Sequence, residues 1–475
     1  MVEPQALRGS DAGFLFIETP EQTSTCVDLA VLAPPPAGTG PLTVDSLRRH
    51  IADRLHLIPA FRWRLAPVPG GIGHPVWVED PDFDLDYHLR HAVVDAPGDD
   101  AALDRLMATM LPGLLDRRHP LWQVVLVDGL AGGRQALIFR FHHTLADGAG
   151  LIATIGRIFD ADGPPPPPPA STATAPVGPT VPRPGRLFLT TLVAQIRAWL
   201  AAPRLLVDTL RRFKAVDRRR ESADVPVPRS MVDAPHSALN RCTDARRVYA
   251  RALLPLADLR QVRREAGTTL SDVVLAVVAG GLRSHLAERQ DLPAEPMVVN
   301  VPVGNDDPDA PPRQTGNVFA NYFAHLATDV ADPRERLAAT ASYNEEAKFQ
   351  LDILGRDTLP AWLDRIPPFI AGPAARAIPR RRAAKGDPPD FNVLVSNVRA
   401  DVSNWRLDDR AVEHYSMSGP VADGAGLNIT VTGAGDTVTM SLVANPAAVE
   451  RPDELARSLE SALRELVDAH HRAVV

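Results

Sequence analysis

The 475-residue chain has only two cysteines, Cys26 and Cys242, too few for a disulfide framework and in keeping with a reducing cytosol. Aromatic residues make up only 5%, although the 45% apolar content is that of a globular protein. No stretch approaches the ~20 uninterrupted apolar residues of a spanning helix, so none is expected. The N-terminal MVEPQALRGSDAG has neither the basic segment nor the apolar core of a secretory signal. A net charge of -7 provides no basic footprint for nucleic acid. A Gly-x-Ser-x-Gly elbow is also missing, so the nucleophile is expected to come from a substrate hydroxyl, amine or thiol rather than from a serine of the chain.

What is present divides the chain. Its length suggests two large domains. Asp162-Gly-Pro164 opens a run of six prolines ending at Pro169, followed by Ser/Thr/Ala/Pro-rich sequence to about Pro184. That composition favours extended chain and reads as a linker. From Arg186 to Arg220, apolar residues recur at near-helical spacing among many arginines, and Pro203 is expected to split this stretch into two helices. The expected organisation is an N-terminal domain over 1–162, a linker with basic amphipathic helices over 163–230, and a C-terminal domain over 231–475. A basic amphipathic pair can lie on an anionic membrane or pack on its own protein with the arginines solvated.

The densest chemistry is His142-His143-Thr144-Leu145-Ala146-Asp147-Gly148. The β-prone run Gln135 to Phe141 delivers the two histidines at a strand end, and Gly148 and Gly150 break the pattern into a turn. Histidine exchanges protons near neutral pH. Adjacent residues on an extended strand face opposite ways, so the pair reads as one general base rather than a shared metal site. His143 is expected to face a reaction channel and His142 to orient or pack. Asp147 either pairs with an arginine to shape the loop or bonds an imidazole as in a triad. Gly148 permits positive φ or a close backbone approach. The other pair, His470-His471, has no Asp-Gly after it and reads as a solvated tail.

HHTLADG matches the HHxxxDG signature of the CoA-dependent acyltransferase superfamily. Arg118-His-Pro-Leu-Trp122, Asp11-Ala-Gly-Phe-Leu-Phe-Ile-Glu-Thr-Pro20, Pro59-Ala-Phe-Arg62 and Phe83-Asp-Leu-Asp-Tyr-His88 resemble blocks of the bacterial wax ester synthase/diacylglycerol acyltransferase family. Leu270 to Ala276, Val301-Pro-Val303 with Gly316-Asn317, and Val395-Ser-Asn-Val398 with Gly426 to Ile429 continue the series in order. The sequence departs from the family at Ser271, where an asparagine is usual, at Val303 to Asp307, and at Arg399-Ala-Asp401.

The resemblance implies an α/β fold of two similar-sized domains with mixed sheets, like chloramphenicol acetyltransferase and condensation domains, and an active channel between them. It implies fatty acyl transfer from acyl-CoA, a co-substrate, to diacylglycerol or a long-chain alcohol, with His143 as base and no cofactor or metal. The alternatives are a non-catalytic lipid-binding member and a condensation-type enzyme using carrier-bound acyl groups. A cytoplasmic protein, peripheral on the inner face of the cell membrane or on lipid inclusions, is expected. Ser271 and Asp272 are candidates for substrate binding, or simply for capping a buried helix. Finally, Ala146 to Leu151 recurs as Ala422 to Leu427, read either as two related halves or as coincidence.

Overall fold

The computed structural model describes residues 5–160, 182–228, 234–242, 244–307 and 309–471. Most of the proline-rich stretch therefore lies outside the described residues. The first half runs β1 (Gln5–Ala6), α1 (Gly9–Ile17), β2 (Thr25–Leu32), α2 (Val44–Ala52), β3 (Trp63–Ala66), β4 (Val76–Glu79), α3 (Leu85–His88), β5 (Leu89–Val93), α4 (Asp100–Met110), β6 (Trp122–Asp128), β7 (Gln135–His142) and α5 (Gly148–Ile155). The helix α6 (Pro184–Ser222) connects it to β8 (Val248–Pro255), α7 (Leu256–Ala266), α8 (Leu270–Ala287), β9 (Met297–Gly304), β10 (Phe319–Leu326), α9 (Pro333–Leu354), α10 (Thr358–Leu363) and α11 (Pro368–Lys385). The chain ends with β11 (Val393–Arg399), β12 (Arg406–Leu407), β13 (Arg410–Ser416), β14 (Leu427–Ala434), β15 (Thr437–Ala444) and α12 (Pro452–His471).

Two six-stranded mixed sheets organise these elements, with strand orders β12-β13-β2-β7-β6-β5 and β10-β9-β11-β14-β15-β8; a small third sheet is β1-β4-β3. β5 runs parallel to β6, and β11 runs parallel to both β9 and β14, while the other pairings are antiparallel. Every residue of β2 is buried, because it has core on both faces. Cys26, Ala30 and Leu32 join one cluster with Phe139 and Phe141. Val27, Leu29 and Val31 join another that also contains Tyr249 and Val443 from the second half of the chain.

The second half is not self-contained. β13 leaves it to pair antiparallel with β2, Tyr415 opposite Ala30, so residues 406–416 complete the first sheet. The expected range of 231–475 is therefore a sequence interval with one excursion into its neighbour.

The expected break at Pro203 is corrected: α6 is continuous for 39 residues with Pro203 inside it. A proline removes one helical hydrogen bond and crowds the preceding turn, but contacts on both sides hold this helix. Gln195 Nε2 donates to Arg365 O at 2.6 Å before the proline. After it, Trp362 Nε1 donates to Thr209 Oγ1 at 3.0 Å and Arg219 pairs with Glu346. The reading of His470-His471 as a tail is corrected as well. Both lie in α12, and His470 is buried with Nδ1 2.9 Å from Leu466 O, because α12 packs its Leu455, Leu459 and Leu463 stripe into the second core.

α7 ends at Gly267 in the left-handed conformation (φ 66°), where the absence of a Cβ removes the strain. α8, long and apolar enough to cross a membrane, has 72% of its residues buried inside the protein. It is the central core helix of the second half, with Val273, Val277 and Leu282 fully enclosed.

Candidate active site

β7 extends its antiparallel ladder to His142, opposite Thr25. His142 N donates to Leu121 O at 3.0 Å and His143 N to Ser24 O at 2.8 Å, so both residues sit on rigid backbone. As the pleat requires, their side chains diverge. His142 is fully buried; its Nδ1 accepts from the Thr144 backbone N–H at 3.0 Å. That leaves the ring proton on Nε2, which lies 3.1 Å from Glu18 Oε1, off the best hydrogen-bond direction. Burial works to raise the Glu18 carboxyl, but the His142 and Arg117 side chains and the Ser24 N–H outweigh it and bring it down to about 2. His142 thus helps tie β7 to the segment after α1.

His143 turns toward a cavity of about 350 Å³ between the two halves. Phe14 stacks on its ring at 3.9 Å between centroids, 10° from parallel, and Phe319 flanks it at 6.3 Å. His143 Nδ1 lies 3.0 Å from Asn317 Oδ1. Because an amide oxygen only accepts, this contact puts the ring proton on Nδ1 and leaves Nε2 as the basic nitrogen. Asn317 is itself oriented: its Nδ2 donates to Asp11 Oδ1 and to His143 O, both at 2.9 Å, and its backbone N–H reaches Asp11 Oδ1 at 2.6 Å. Burial lowers the His143 pKa below the ordinary 6.5, so the resting imidazole is neutral. A neutral, oriented imidazole beside a cavity can accept a proton from a bound hydroxyl.

The two options for Asp147 resolve to the arginine pair. Asp147 caps α5, accepting from Gly150 N–H at 3.2 Å and Val318 N–H at 2.9 Å, and its other partner is the Arg313 guanidinium. Arg313 also holds Gly316 O and Asp306. Gly316 N–H donates to Leu145 O at 2.8 Å, and Ala146 forms a parallel bridge with Gly316. The segment 313–319 is thereby locked onto the histidine turn, bringing Asn317 to the ring. Gly148 is not among the positive-φ glycines; a Cβ there would stand 2.8 Å from Val398 Cγ2. Close approach is the reason for glycine.

Ser271 and Asp272 lie elsewhere in the second half and do not line this cavity. Thr269 and Asp272 form a reciprocal capping box at the start of α8, and Asp272 Oδ1 also accepts from Asn344 Nδ2. Further walls come from Ser396 to Arg399 on β11, Met417 to Pro420, and Asn428 and Thr430 on β14. Asp11, Phe14, Glu18, Arg313 and Asn317 were not singled out by sequence reasoning as site residues. Asp11, Phe14, Glu18 and Asn317 fall within the family-like blocks quoted above, which was the available signal.

Comparison with known proteins places this geometry. Residues 7–274 match the wax ester synthase/diacylglycerol acyltransferase catalytic domain, and residues 315–467 match the C-terminal domain of the same family. A Mycobacterium tuberculosis protein, provisionally named a diacylglycerol O-acyltransferase, is 33% identical over 98% of this chain and 97% of its own. A Mycobacterium bovis protein with a similar provisional name is 30% identical over 97% of this chain and 98% of its own. Among solved structures, the wax ester synthase/diacylglycerol acyltransferase from Marinobacter aquaeolei superposes with a TM-score of 0.67 at 24% identity, covering 98% of this chain and 99% of that one. The first condensation domain of the calcium-dependent antibiotic synthetase gives 0.58 at 18% identity, covering 98% and 96%, a likeness of fold alone. The expected two-domain α/β architecture is confirmed, and the chain belongs to the wax ester synthase/diacylglycerol acyltransferase family.

Proposed function

We infer that this protein transfers a fatty acyl group from acyl-CoA to the hydroxyl of diacylglycerol or of a long-chain alcohol. The observation that carries the mechanism is the Asn317 contact, which fixes His143 with Nε2 unprotonated at the cavity wall. Nε2 takes the hydroxyl proton as the alcohol oxygen attacks the thioester carbon. Collapse of the tetrahedral intermediate forms the ester C–O bond and breaks the C–S bond. The departing CoA thiolate recovers the proton from the His143 imidazolium. No acyl-enzyme and no cofactor is required, and the base contributes about 10²–10⁴-fold in rate.

The lipid chemistry also bears on location. α6 leaves Val193, Ile196, Trp199, Leu200, Leu206 and Phe213 exposed, next to exposed Arg197, Arg204 and Arg211. Apolar residues flanked by arginine suit the headgroup boundary of an anionic membrane or lipid inclusion, and we place a cytoplasmic, peripherally bound enzyme there. Labelled palmitoyl-CoA offered with diolein, with hexadecanol or with no acceptor tests the activity. Ester formation that disappears in His143→Ala supports the reading; a folded His143→Ala variant with full turnover overturns it. Sedimentation with anionic vesicles, compared between the protein and a Trp199→Ser/Leu200→Ser double variant, tests the location, and equal binding by both would remove it.

A further inference from the structure

The cavity beside His143 does not stand alone. A second one, of about 130 Å³, lies beneath α6 and α9, walled by Phe213 and Val216 from α6, Ala347, Leu351 and Leu354 from α9, and Tyr322 and Phe323 from β10. Asn321 lines both cavities. The periodicity of β10 explains the shared wall: Phe319, Asn321 and Phe323 alternate with the buried Ala320, Tyr322 and Ala324, so they share one face of the strand. Phe319 begins that track beside the His143 ring, and Phe323, about 13 Å further on, ends it at the second cavity. β10 is the edge strand of its sheet, so a ligand can round it without crossing hydrogen-bonded backbone.

Three of the polar groups around the second cavity already have partners in the protein. Tyr322 Oη donates to Asn344 Oδ1, Arg220 Nε donates to Gln350 Oε1 at 3.0 Å, and Gln350 Nε2 donates to Glu346 Oε1 at 3.1 Å. Phe213, Val216, Phe323, Ala347, Leu351 and Leu354 supply the cavity's apolar wall.

Building on the acyl-transfer reading, we propose that this second cavity receives the distal alkyl chain of one of the two lipid substrates, led from His143 along Phe319, Asn321 and Phe323, and that its depth sets the chain length accepted. Ala347→Phe fills it from α9, and Leu354→Trp, at a half-buried rim position, does so with less risk to the core. Each variant, checked for an unchanged unfolding midpoint, is assayed in two arms. One compares hexadecanoyl-CoA with octanoyl-CoA at a fixed alcohol; the other compares hexadecanol with octanol at a fixed acyl-CoA. The expected result is a long-to-short rate ratio lowered by about tenfold or more in one arm, with the short-chain rate retained; the arm that responds identifies the donor or the acceptor chain. Equal effects on long and short chains in both arms, or no effect, overturn the proposal. Should the parent protein form no ester, the acyl-transfer reading fails on its own. The cavity is then probed by binding of the fluorescent fatty acid cis-parinaric acid, which hexadecanoate but not octanoate should displace and which Ala347→Phe or Leu354→Trp should weaken. Unaltered binding in the folded variants would again overturn it.

Discussion

The hexapeptide Ala-Asp-Gly-Ala-Gly-Leu occurs at 146–151 and again at 422–427, and the two copies fold differently. In the first, Asp147 is extended and caps α5, which begins at Gly148. In the second, Ala422 bridges back to Ala425 across a turn with Gly424 at φ 78°, and the chain proceeds into β14. Asp147 is buried against Arg313, whereas Asp423 is exposed. Around Gly426 the constraint is also different: a Cβ there would stand 2.3 Å from Arg241 O. Identical residues thus acquire a role only through what the rest of the fold places against them. The echo is coincidence in local structure, and the working copy is defined by 313–319.

Substitutions in the two copies separate these contributions. The largest effect belongs to the base that only the first copy follows: His143→Ala should lower turnover by about 10²–10⁴-fold with an unchanged denaturation curve, while His471→Ala, on the exposed face of α12, should leave the rate intact. Next, Asp147→Ala removes a helix cap and one of the two carboxylates that hold the partly buried Arg313 guanidinium, for an expected loss of about 2 kcal/mol. The matching Asp423→Ala should stay within about 0.5 kcal/mol. Equal urea midpoints for the two variants would contradict the contrast.

The pH dependence of kcat/KM gives a finer reading. His143 must be neutral to act, and burial holds its pKa below 6.5; the rate plateau should therefore persist below pH 6.5 before its acid limb. An acid limb centred above 6.5 would contradict a desolvated imidazole. The smallest effects come from the glycines. Gly424→Ala, at positive φ, should cost about 1–2 kcal/mol of stability without touching KM. Gly148→Ala, facing Val398 in the cavity wall, should alter KM more than the melting temperature.

Elements with strong local signals were legible in the sequence. The β-prone run at 135–141 is a strand, and the basic amphipathic stretch from 186 to 220 is helical. Within the site, the divergence of His142 and His143 follows from the pleat alone. What was not legible depends on distant partners. Asn317 reaches His143 across 174 positions and Arg313 reaches Asp147 across 166; no local pattern encodes either pairing. Pro203 misled for the same reason, since the contacts that keep α6 continuous come from 346–365. β13, with the sequence RAVEHYS, lacks the apolar run that would mark it as part of the first sheet.

That borrowed strand bears on how the molecule can be divided. A fragment ending in the proline-rich stretch would carry both histidines yet leave the fully buried β2 with a bare edge where β13 belongs. Unpaired edges invite association with other chains, so such a fragment is expected to aggregate. The complementary fragment would hold a strand with no sheet to join. The proline-rich stretch marks a boundary in composition, but the halves it separates are obligate partners, and co-expression of both pieces is the condition under which either should become soluble.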